Sequence, residues 1–259
     1  MTLGKVTGFE SQTGMGVSAH VEKQTVVIGN DGQMRRIGID PAGLSNSAER
    51  HRSSGAGVML VAIDGKLAGL SAVAAPVRGG AGDASAALRQ QGLRVIMLTG
   101  DNVTTANAVA TAVGGLDEVR AGLLPEDKAR IIGELKASGA KVAMAGDGIN
   151  DAPALAAADV GLAMGTGTDV AIESAGMTLT KGDLSAIVRA RRLSHATMGN
   201  IRQNLFFSFL FNGIGVPVAA GVLYPVAGIL MSPMFAGAAM ALSSLTVVLN
   251  ALRLNRTKL

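Results

Sequence analysis

The chain has 259 residues and a net charge of +4, with 35 glycines and no cysteine. This length allows one large or two modest domains with a sizeable core. The lack of cysteine excludes disulfides and thiolate metal sites within the chain. From residue 184 onward there are seven lysines and arginines and no acidic residue, so the first 183 residues carry a net charge of −3. The positive charge flanks an apolar stretch, which favours a membrane over a nucleic acid as partner.

Residues 1–75 are predicted to be rich in β-strands. The segments "GKVTGFE", "GVSAHV" and "KQTVVIGN" combine β-branched residues with glycine. The segment "GVMLVAIDGKLAGLSAVA" predicts two strands joined at Asp64-Gly65. We therefore expect an antiparallel sheet, with a helix near residues 40–52.

Residues 76–190 alternate between helical and strand-like segments. The predicted helices are "ASAALRQQG", "TTANAVATAVG", "PEDKARIIGELKASG" and "APALAAAD". The predicted strands, within "LRVIMLTGDN" and "AKVAMAGDGIND", end in polar loops. This alternation predicts a parallel sheet covered on both faces. Active sites of such sheets lie at the carboxyl ends of the strands, where "TGDN" and "GDGIND" fall.

Asp147 and Asp151 follow one predicted strand and are separated by Gly148, which permits a tight turn. Two carboxylates at this spacing suit a hard cation such as Mg²⁺. An equally good alternative is that Asp151 or Asn150 caps the helix that contains Pro153.

Thr99, Gly100 and Asp101 follow the other predicted strand. A hydroxyl and free backbone N–H groups at a strand end can hold phosphate oxygens, although an ordinary turn would have the same composition. Lys128 lies near the start of a predicted helix, where the dipole does not favour a cation. A bound anion would explain this lysine better than exposure to solvent alone, so these features together predict a phosphate-sized site.

Residues 203–252 contain no charged side chain. The run "LFFSFLFNGIGVPVAAGVL", residues 205–223, would be about 28 Å long as a helix, which matches a hydrocarbon core. A second run covers residues 228–252 after the short turn "YPVAG". Arginines outside both runs predict that both ends of this hairpin are cytoplasmic. The alternative is a buried core hairpin of a soluble protein. The polar start of the chain, "MTLGKVTGFESQ", predicts no signal peptide.

The motifs "MLTGDN", "PEDK" and "AGDGINDAPALAAADVGLAMGTGTDVAIESA" closely resemble the phosphorylation domain of P-type ATPases, nearly continuously from about residue 93 to 180. The resemblance implies an α/β haloacid dehalogenase-like phosphorylation domain over residues 76–190. It also implies part of an antiparallel α+β nucleotide-binding domain over 1–75 and a C-terminal transmembrane helical hairpin over 191–259.

The resemblance also implies roles for the residues of these motifs. Asp147 would hold Mg²⁺ with support from Asp151, and Lys128 and Thr99 would position the phosphoryl group. Gly100, Asp101 and Asn150 belong to the same catalytic motifs.

Upstream, "GMGV" and "VIGN" resemble the glycine-rich loop and the Gly-Asn pair of the nucleotide-binding domain in the heavy-metal subgroup of these ATPases. The resemblance implies that four residues line the adenosine site for ATP: Gly14, Gly16, Gly29 and Asn30. Without the resemblance, they would be interpreted as turn residues between strands.

The C-terminal hairpin resembles the last two membrane helices of the copper(I) transporters. The family's Tyr-Asn pair is matched by Phe211-Asn212, and its Met-x-x-Ser-Ser by Met240 and the serines 243 and 244. Asn212, Met240 and Ser244 would therefore contact Cu(I) or Ag(I), soft ions that suit a thioether. Zinc-type relatives use a membrane carboxylate, and here no acidic residue follows Asp183. Packing of small residues between helices is the alternative.

The chain departs from the family in having no DKTGT motif, whose aspartate attacks the γ-phosphate of ATP. The family's Cys-Pro-Cys, His-Pro, actuator TGE loop and earlier membrane helices are absent as well. Ala75-Pro76 replaces the usual Asp-Pro, and Phe211 replaces the tyrosine.

We therefore expect the C-terminal part of an ATP-driven copper(I) or silver(I) exporter of the inner membrane, inactive without the N-terminal part of the pump and without a nucleic-acid partner. The alternative is a catalytically silent, membrane-anchored module that binds nucleotide or a partner. A free-standing phosphatase is disfavoured because the nucleophile is missing.

Overall fold

The computed structural model describes residues 4–74, 76–165, 168–179, 183–228 and 232–256. The chain forms two compact units, Met1–Ala186 and Ile187–Leu259, which are described separately. Ala75, where a family contact was expected to be lost, lies outside the described residues.

The first unit begins with a five-stranded antiparallel sheet whose strands are adjacent in chain order. They are β1 (Val6–Gln12), β2 (Gly16–Val21), β3 (Gln24–Gly29), β4 (Gly57–Ile63) and β5 (Lys66–Val73). The predicted hairpin is confirmed, because Asp64 and Gly65 both adopt positive φ between β4 and β5. Asp64 also accepts a hydrogen bond from the Thr25 N–H at 2.8 Å, which fixes the turn to β3.

Two short helices cover this sheet. They are α1 (Asp31–Arg36) and α2 (Ser45–Arg52), the latter preceded by a 3-10 turn over Pro41–Leu44. The helix expected near residues 40–52 is thus present. Helix α1 was not predicted, because six residues that begin Asp-Gly suggest a turn. The shared core consists of Val27, Met34, Ile39, Leu60 and Ala62.

The rest of the first unit alternates helix and strand. The helices are α3 (Ala81–Gln90), α4 (Val103–Val113), α5 (Pro125–Ala137), α6 (Ala152–Ala157) and α7 (Asp169–Ser174). The strands are β6 (Ile96–Leu98), β7 (Glu118–Arg120), β8 (Ala143–Gly146), β9 (Val160–Met164) and β10 (Met177–Leu179). All pairings among these strands are parallel, as predicted. The short strands β7, β9 and β10 were not predicted.

These parallel strands form two separate sheets, β6-β7 and β10-β9-β8. Leu98 of β6 nevertheless packs against the apolar cluster that contains Met144 of β8 and Ile132 of α5. Helix α3 contacts α4, whereas α5, α6 and α7 form a second contiguous group. Within the described residues, no ladder joins β6 to β8.

The second unit is helical. Its helices are α8 (Ser185–Ala219), which begins at the end of the first unit, α9 (Tyr224–Ala227) and α10 (Pro233–Arg253), followed by a 3-10 turn over Leu254–Arg256. Among the described residues, one helix, Met234–Arg256, is long and apolar enough to cross a membrane, with a mean hydropathy of 1.7.

The hairpin boundaries differ from those predicted. Helix α8 ends at Ala219 rather than at Leu223, and a short helix occupies the expected turn. Pro217 lies within the last turn of α8, and Gly221 adopts a φ of 87°, so the backbone cannot continue the helix.

Three asparagines join α8 to α10 and are called the asparagine clasp: Asn200, Asn204 and Asn250. The side-chain amide of Asn200 donates to the backbone carbonyl oxygen of Asn250 at 2.6 Å. The Asn250 amide donates to Asn204 Oδ1 at 2.8 Å, and the Asn204 amide donates to Asn200 Oδ1 at 3.1 Å. The clasp fixes which residues of the two helices lie at the same level.

Candidate functional site

The loop after β8 turns back over the end of its own strand. A Cβ atom at Gly146 would lie 2.8 Å from the Asp151 Cβ, so only glycine fits there. The Gly148 N–H donates to Asp151 Oδ2 at 3.3 Å, which closes the turn. The loop therefore holds the Asp151 carboxylate against the strand end.

Lys128 and Asp151 form a mostly buried ion pair. The Lys128 Nζ lies 2.7 Å from Asp151 Oδ1, and the two side chains are 16% and 12% exposed. Lys128 thus meets an anion, and this anion is a carboxylate of the chain itself. The Asp151 side chain makes no capping hydrogen bond to α6, so the capping alternative is not supported for this residue.

The loop after β6 is a compact turn. Thr99 Oγ1 donates to Asp101 Oδ2 at 2.8 Å and accepts from the Asp101 N–H at 3.1 Å. The Thr99 N–H donates to the Arg120 carbonyl oxygen at 2.9 Å. Two N–H groups that were expected to be free are therefore used. The Thr99 hydroxyl proton is already donated to Asp101. To donate it to a phosphate oxygen instead, Thr99 must first break that hydrogen bond.

The Thr99 turn is tied to the start of α5, which carries Lys128. The Leu123 N–H donates to the Thr99 carbonyl oxygen at 3.1 Å. A Cβ at Gly100 would lie only 3.1 Å from the Leu123 carbonyl oxygen, so glycine permits this close approach. The segment that leads into α5 is thus bonded to the Thr99 turn, and Lys128 in the first turn of α5 is paired with Asp151.

Helix α5 is capped by its own first turn. Asp127 Oδ2 accepts from the Leu124 N–H at 3.0 Å, and Asp127 Oδ1 pairs with Arg130 at 2.7 Å. The hydrogen bond from Arg130, followed by the one from Leu124, lowers the pKa of Asp127. This carboxylate therefore stays ionised and fixes the turn that precedes Lys128.

Asp147 lies at the rim of the site and is 58% exposed. Its carboxylate is 3.9 Å from Arg78, and its carbonyl oxygen accepts from the Thr168 N–H at 3.0 Å at the start of α7. Asn150 is exposed in the 3-10 turn that follows. Neither Arg78 nor Thr168 carried a sequence signal that singled it out.

The residues present fit a magnesium ion with one protein carboxylate. Among the described residues, no three acidic or histidine side chains converge on one point. Both oxygens of Asp151 are engaged, by Lys128 and by Gly148, so Asp147 is the carboxylate available as a ligand. Mg²⁺ commonly binds one or two carboxylates and completes its shell with water and phosphate.

The four residues predicted to line an adenosine site lie together. Gly16 pairs with Gly29 across β2 and β3, and a Cβ at Gly16 would lie 2.2 Å from the Ile28 carbonyl oxygen. The Asn30 amide donates to the Gly14 carbonyl oxygen at 2.9 Å, which holds the glycine loop on this edge. Asn30 Oδ1 also caps α1 by accepting from the Gln33 N–H.

This glycine loop reaches the loop that leads into α5. Gly14 has a φ of +74°, and a Cβ there would lie 3.0 Å from the Leu124 Cδ2. The residues predicted for adenosine and those predicted for phosphate therefore occupy neighbouring parts of one unit. Sequence reasoning missed Leu124 because an isolated leucine before Pro125 carries no functional signal.

The residues predicted to contact the transported metal lie on α8 and α10. The Asn212 amide donates to the Ser208 carbonyl oxygen within α8 at 2.9 Å. Met240 is 72% exposed on α10, and Ser244 is exposed one turn further on. No hydrogen bond joins these three residues in the described part of the hairpin.

The fold and the two strand-end loops define a haloacid dehalogenase-like protein. The sequence profile of the haloacid dehalogenase-like hydrolases matches residues 4–159, and a second profile of the same description matches residues 129–190. The chain belongs to this family.

Within that class, the resemblance to heavy-metal P-type ATPases is confirmed. The chain is 59% identical over 255 residues to a copper-transporting P-type ATPase of Rhizobium leguminosarum, covering 98% of this chain and 30% of the relative. It is 60% identical over 254 residues to a silver-exporting P-type ATPase of Salmonella typhimurium, covering 98% and 31%. A copper-exporting P-type ATPase of Legionella pneumophila is 55% identical over 259 residues, covering 100% and 35%. The chain thus spans about a third of the length of these relatives.

Solved structures show the same relationship. A zinc-transporting PIB-type ATPase in the E2.Pi state matches 97% of this chain and 39% of that chain, with a TM-score of 0.66 and 35% identity. The catalytic domain of the CPx-ATPase CopB-B matches 72% of this chain and 65% of that chain, with a TM-score of 0.54 and 29% identity. The fold is therefore shared with a zinc-transporting PIB-type ATPase and with the catalytic domain of a CPx-ATPase.

Proposed function

We propose that this chain is the C-terminal part of an ATP-driven exporter of copper(I) or silver(I). The observation that carries the proposal is the buried Lys128–Asp151 pair, held beside the Thr99 turn at the ends of two parallel strands. The copper- and silver-transporting relatives described above support the choice of transported ion.

In this proposal, Lys128 and Thr99 position the phosphoryl group, and Asp151 orients Lys128. Asp147 holds Mg²⁺, which would neutralise charge on the phosphate. Phosphoryl transfer depends mainly on positioning and charge stabilisation. Covalent catalysis also requires a nucleophile. The sequence contains no DKTGT, so the chain can hold a phosphoryl group but cannot accept one covalently.

The split sheet supports a role for the rest of the pump. In the described part of the chain, strands β6 and β8 each have one paired and one unpaired edge, and both carry site loops at their carboxyl ends. One additional parallel strand between them would place its own carboxyl end between Thr99 and Asp147. We assign this position to a strand from the N-terminal part of the pump that carries the missing aspartate.

The glycine loop supports ATP as the phosphoryl donor. Gly14 approaches Leu124, which directly precedes α5, and Asn30 is hydrogen-bonded to Gly14. A nucleotide whose adenosine lies on Gly14, Gly16, Gly29 and Asn30 would direct its phosphates toward Lys128.

The hairpin is proposed to span the inner membrane with both ends in the cytoplasm. Asn212, Met240 and Ser244 are exposed on it, so earlier membrane helices could complete a metal site around them. Soft Cu(I) and Ag(I) suit the thioether of Met240.

The test is phosphorylation by γ-labelled ATP. The chain alone should acquire no acid-stable label. When it is assembled with the N-terminal remainder of the pump, label should appear, and Lys128→Met should reduce its rate of formation at least about 100-fold. The matched control, Lys66→Met on β5, should leave that rate unchanged. Acid-stable label on the chain alone would refute the proposal.

A second candidate is a catalytically silent, membrane-anchored nucleotide-binding module. The lack of DKTGT alongside an ordered glycine loop favours it. In that case Mg-nucleotide would raise the melting temperature of the chain, yet the remainder of the pump would not restore phosphorylation. No rise in melting temperature would exclude this second candidate.

A further inference from the structure

Three exposed arginines lie at one end of the hairpin and are called the arginine belt: Arg202 of α8, Arg253 at the end of α10 and Arg256 in the following turn. None of them has a carboxylate within ion-pair distance in the described part of the chain. The sequence also has no acidic residue after Asp183. Within the described residues, the belt is therefore a positive surface without a carboxylate that pairs with it.

The asparagine clasp brings these arginines to a similar level. Asn200 and Asn250 are in direct contact across the two helices. At about 1.5 Å per residue, Arg202 lies about 3 Å to one side of the clasp and Arg253 about 4.5 Å to the other. Arg256 lies about 10.5 Å from the clasp, on the side of Arg253, because the 3-10 turn rises about 2 Å per residue. The backbone positions of the belt thus span about 13.5 Å, and flexible arginine side chains can bring their guanidinium groups closer together, toward a headgroup layer of roughly 5–7 Å.

Neither the helix dipole nor a nucleic-acid partner accounts for the whole belt. A cation in the last turn of α10 complements the helix dipole, which explains Arg253 but not Arg202 in the interior of α8. A nucleic acid would leave the adjoining apolar helix Met234–Arg256 in water. All 50 residues between Arg202 and Arg253 are uncharged, so the belt borders an apolar segment directly.

We propose that the arginine belt binds the phosphates of anionic phospholipids in the leaflet where the two basic ends of the hairpin emerge. A guanidinium binds phosphate oxygens in a bidentate manner. The headgroup of phosphatidylglycerol carries no cation that would offset its phosphate, whereas the choline group of phosphatidylcholine does. This inference depends on the membrane placement given under the proposed function, but not on ATP or copper.

The experiment uses the full chain in phosphatidylcholine bilayers with spin-labelled phosphatidylglycerol or phosphatidylcholine as the probe. Electron paramagnetic resonance gives the relative association constant of the two lipids at the protein surface. We expect phosphatidylglycerol to be favoured at least about fivefold, the factor that one arginine supplies at an anionic surface. The preference should fall toward one in the Arg202→Gln/Arg253→Gln/Arg256→Gln variant and should weaken at high ionic strength.

The matched control removes three exposed arginines of the first unit, Arg35→Gln/Arg36→Gln/Arg50→Gln, and should keep the preference. The variant in which all three belt arginines are replaced by lysine keeps the charge of the belt. It should retain part of the preference for phosphatidylglycerol. Equal association of both lipids with the unmodified chain, or loss of the preference in the control variant, would overturn the inference. Displacement of the labelled lipid by a soluble oligonucleotide would do so too. Flotation of the chain with vesicles of phosphatidylcholine or of phosphatidylglycerol tests the membrane placement separately. If the chain floats with neither, the membrane placement fails and the lipid inference fails with it. The phosphorylation test does not depend on this result.

Discussion

At the residue scale, the ion pair of Lys128 and Asp151 is sensitive because both side chains are mostly buried. Removal of one partner leaves an uncompensated charge, so Lys128→Met should destabilise the first unit by about 3 kcal/mol. The double variant Lys128→Met/Asp151→Leu should lower the free energy of unfolding by less than the sum of the two single substitutions. Urea unfolding in detergent, followed by far-UV circular dichroism, measures both. Lys141→Met, which removes a highly exposed lysine from its pair with Asp159, is the control and should change little. Additive single effects would contradict the pairing.

Gly146 gives a second test at this scale. Gly146→Ala would press a methyl group against Asp151, so we expect a loss of about 1–3 kcal/mol in stability together with weaker Mg²⁺-dependent phosphate binding. Gly133→Ala, in the exposed interior of α5 with nothing near its Cβ position, should instead gain about 0.5–1 kcal/mol. Isothermal titration with Mg²⁺ and phosphate, together with urea unfolding, distinguishes these outcomes. Unchanged binding and stability in Gly146→Ala would show that the loop can move aside.

The site residues were predicted from the polar residue types that follow predicted strands. Sequence reasoning placed Lys128 opposite an anion but could not identify Asp151 as that anion, because the contact joins residues 23 positions apart. It also treated the Thr99 turn as having free donors. The pairing of β6 with β7 uses one of those donors, and β7 itself had no visible signal in three residues.

At the element scale, the start of α5 depends on an ionised Asp127. Its lowered pKa means that the folded state favours the carboxylate. This contribution to stability is fully present above the ordinary pKa of aspartate, about 3.9, and is lost as the pH falls through the lower folded value. The melting temperature of Asp127→Asn should therefore lie below that of the unmodified chain at neutral pH, and the difference should shrink as the pH falls below the ordinary pKa of aspartate. Glu10→Gln, on exposed β1, should show no such convergence. Melting curves between pH 3 and pH 7 provide the measurement, and parallel curves would contradict it.

The asparagine clasp should stabilise the hairpin modestly. Asn250→Leu removes the hydrogen bond from the Asn250 amide to Asn204, and interhelical bonds of this kind contribute about 1 kcal/mol or less. We expect earlier unfolding of the second unit in a titration with sodium dodecyl sulfate, followed by circular dichroism. Asn255→Leu, in the exposed turn after α10, is the control. Identical transitions for the two variants would show that the clasp does not hold the helices together.

Elements with strong periodicity or clear turn residues were predictable from sequence. The hairpin at Asp64-Gly65 and helix α5 lie where their sequences indicate. The helix ends in the C-terminal hairpin were misplaced, because hydropathy defines an apolar run but does not show where Pro217 and Gly221 interrupt the backbone.

At the scale of the whole molecule, the transported ion is tested in the assembled pump. Met240→Ala should lower metal-stimulated ATP hydrolysis with Cu(I) and Ag(I) at least about tenfold, because a thioether ligand is lost. Val248→Ala, on the same helix and also exposed, is the control. Stimulation by Zn(II) that does not depend on Met240 would refute the copper and silver assignment.

The division of the parallel strands could not be predicted from sequence, because alternating helix and strand segments indicate a sheet without showing whether it closes. It has a practical consequence for the polypeptide on its own. In the described part of the chain, β6 and β8 each leave one hydrogen-bonding edge unpaired, and such an edge is a template for any extended chain, including another copy. Isolated molecules of this chain should therefore aggregate through strand pairing until complementary strands cover these edges.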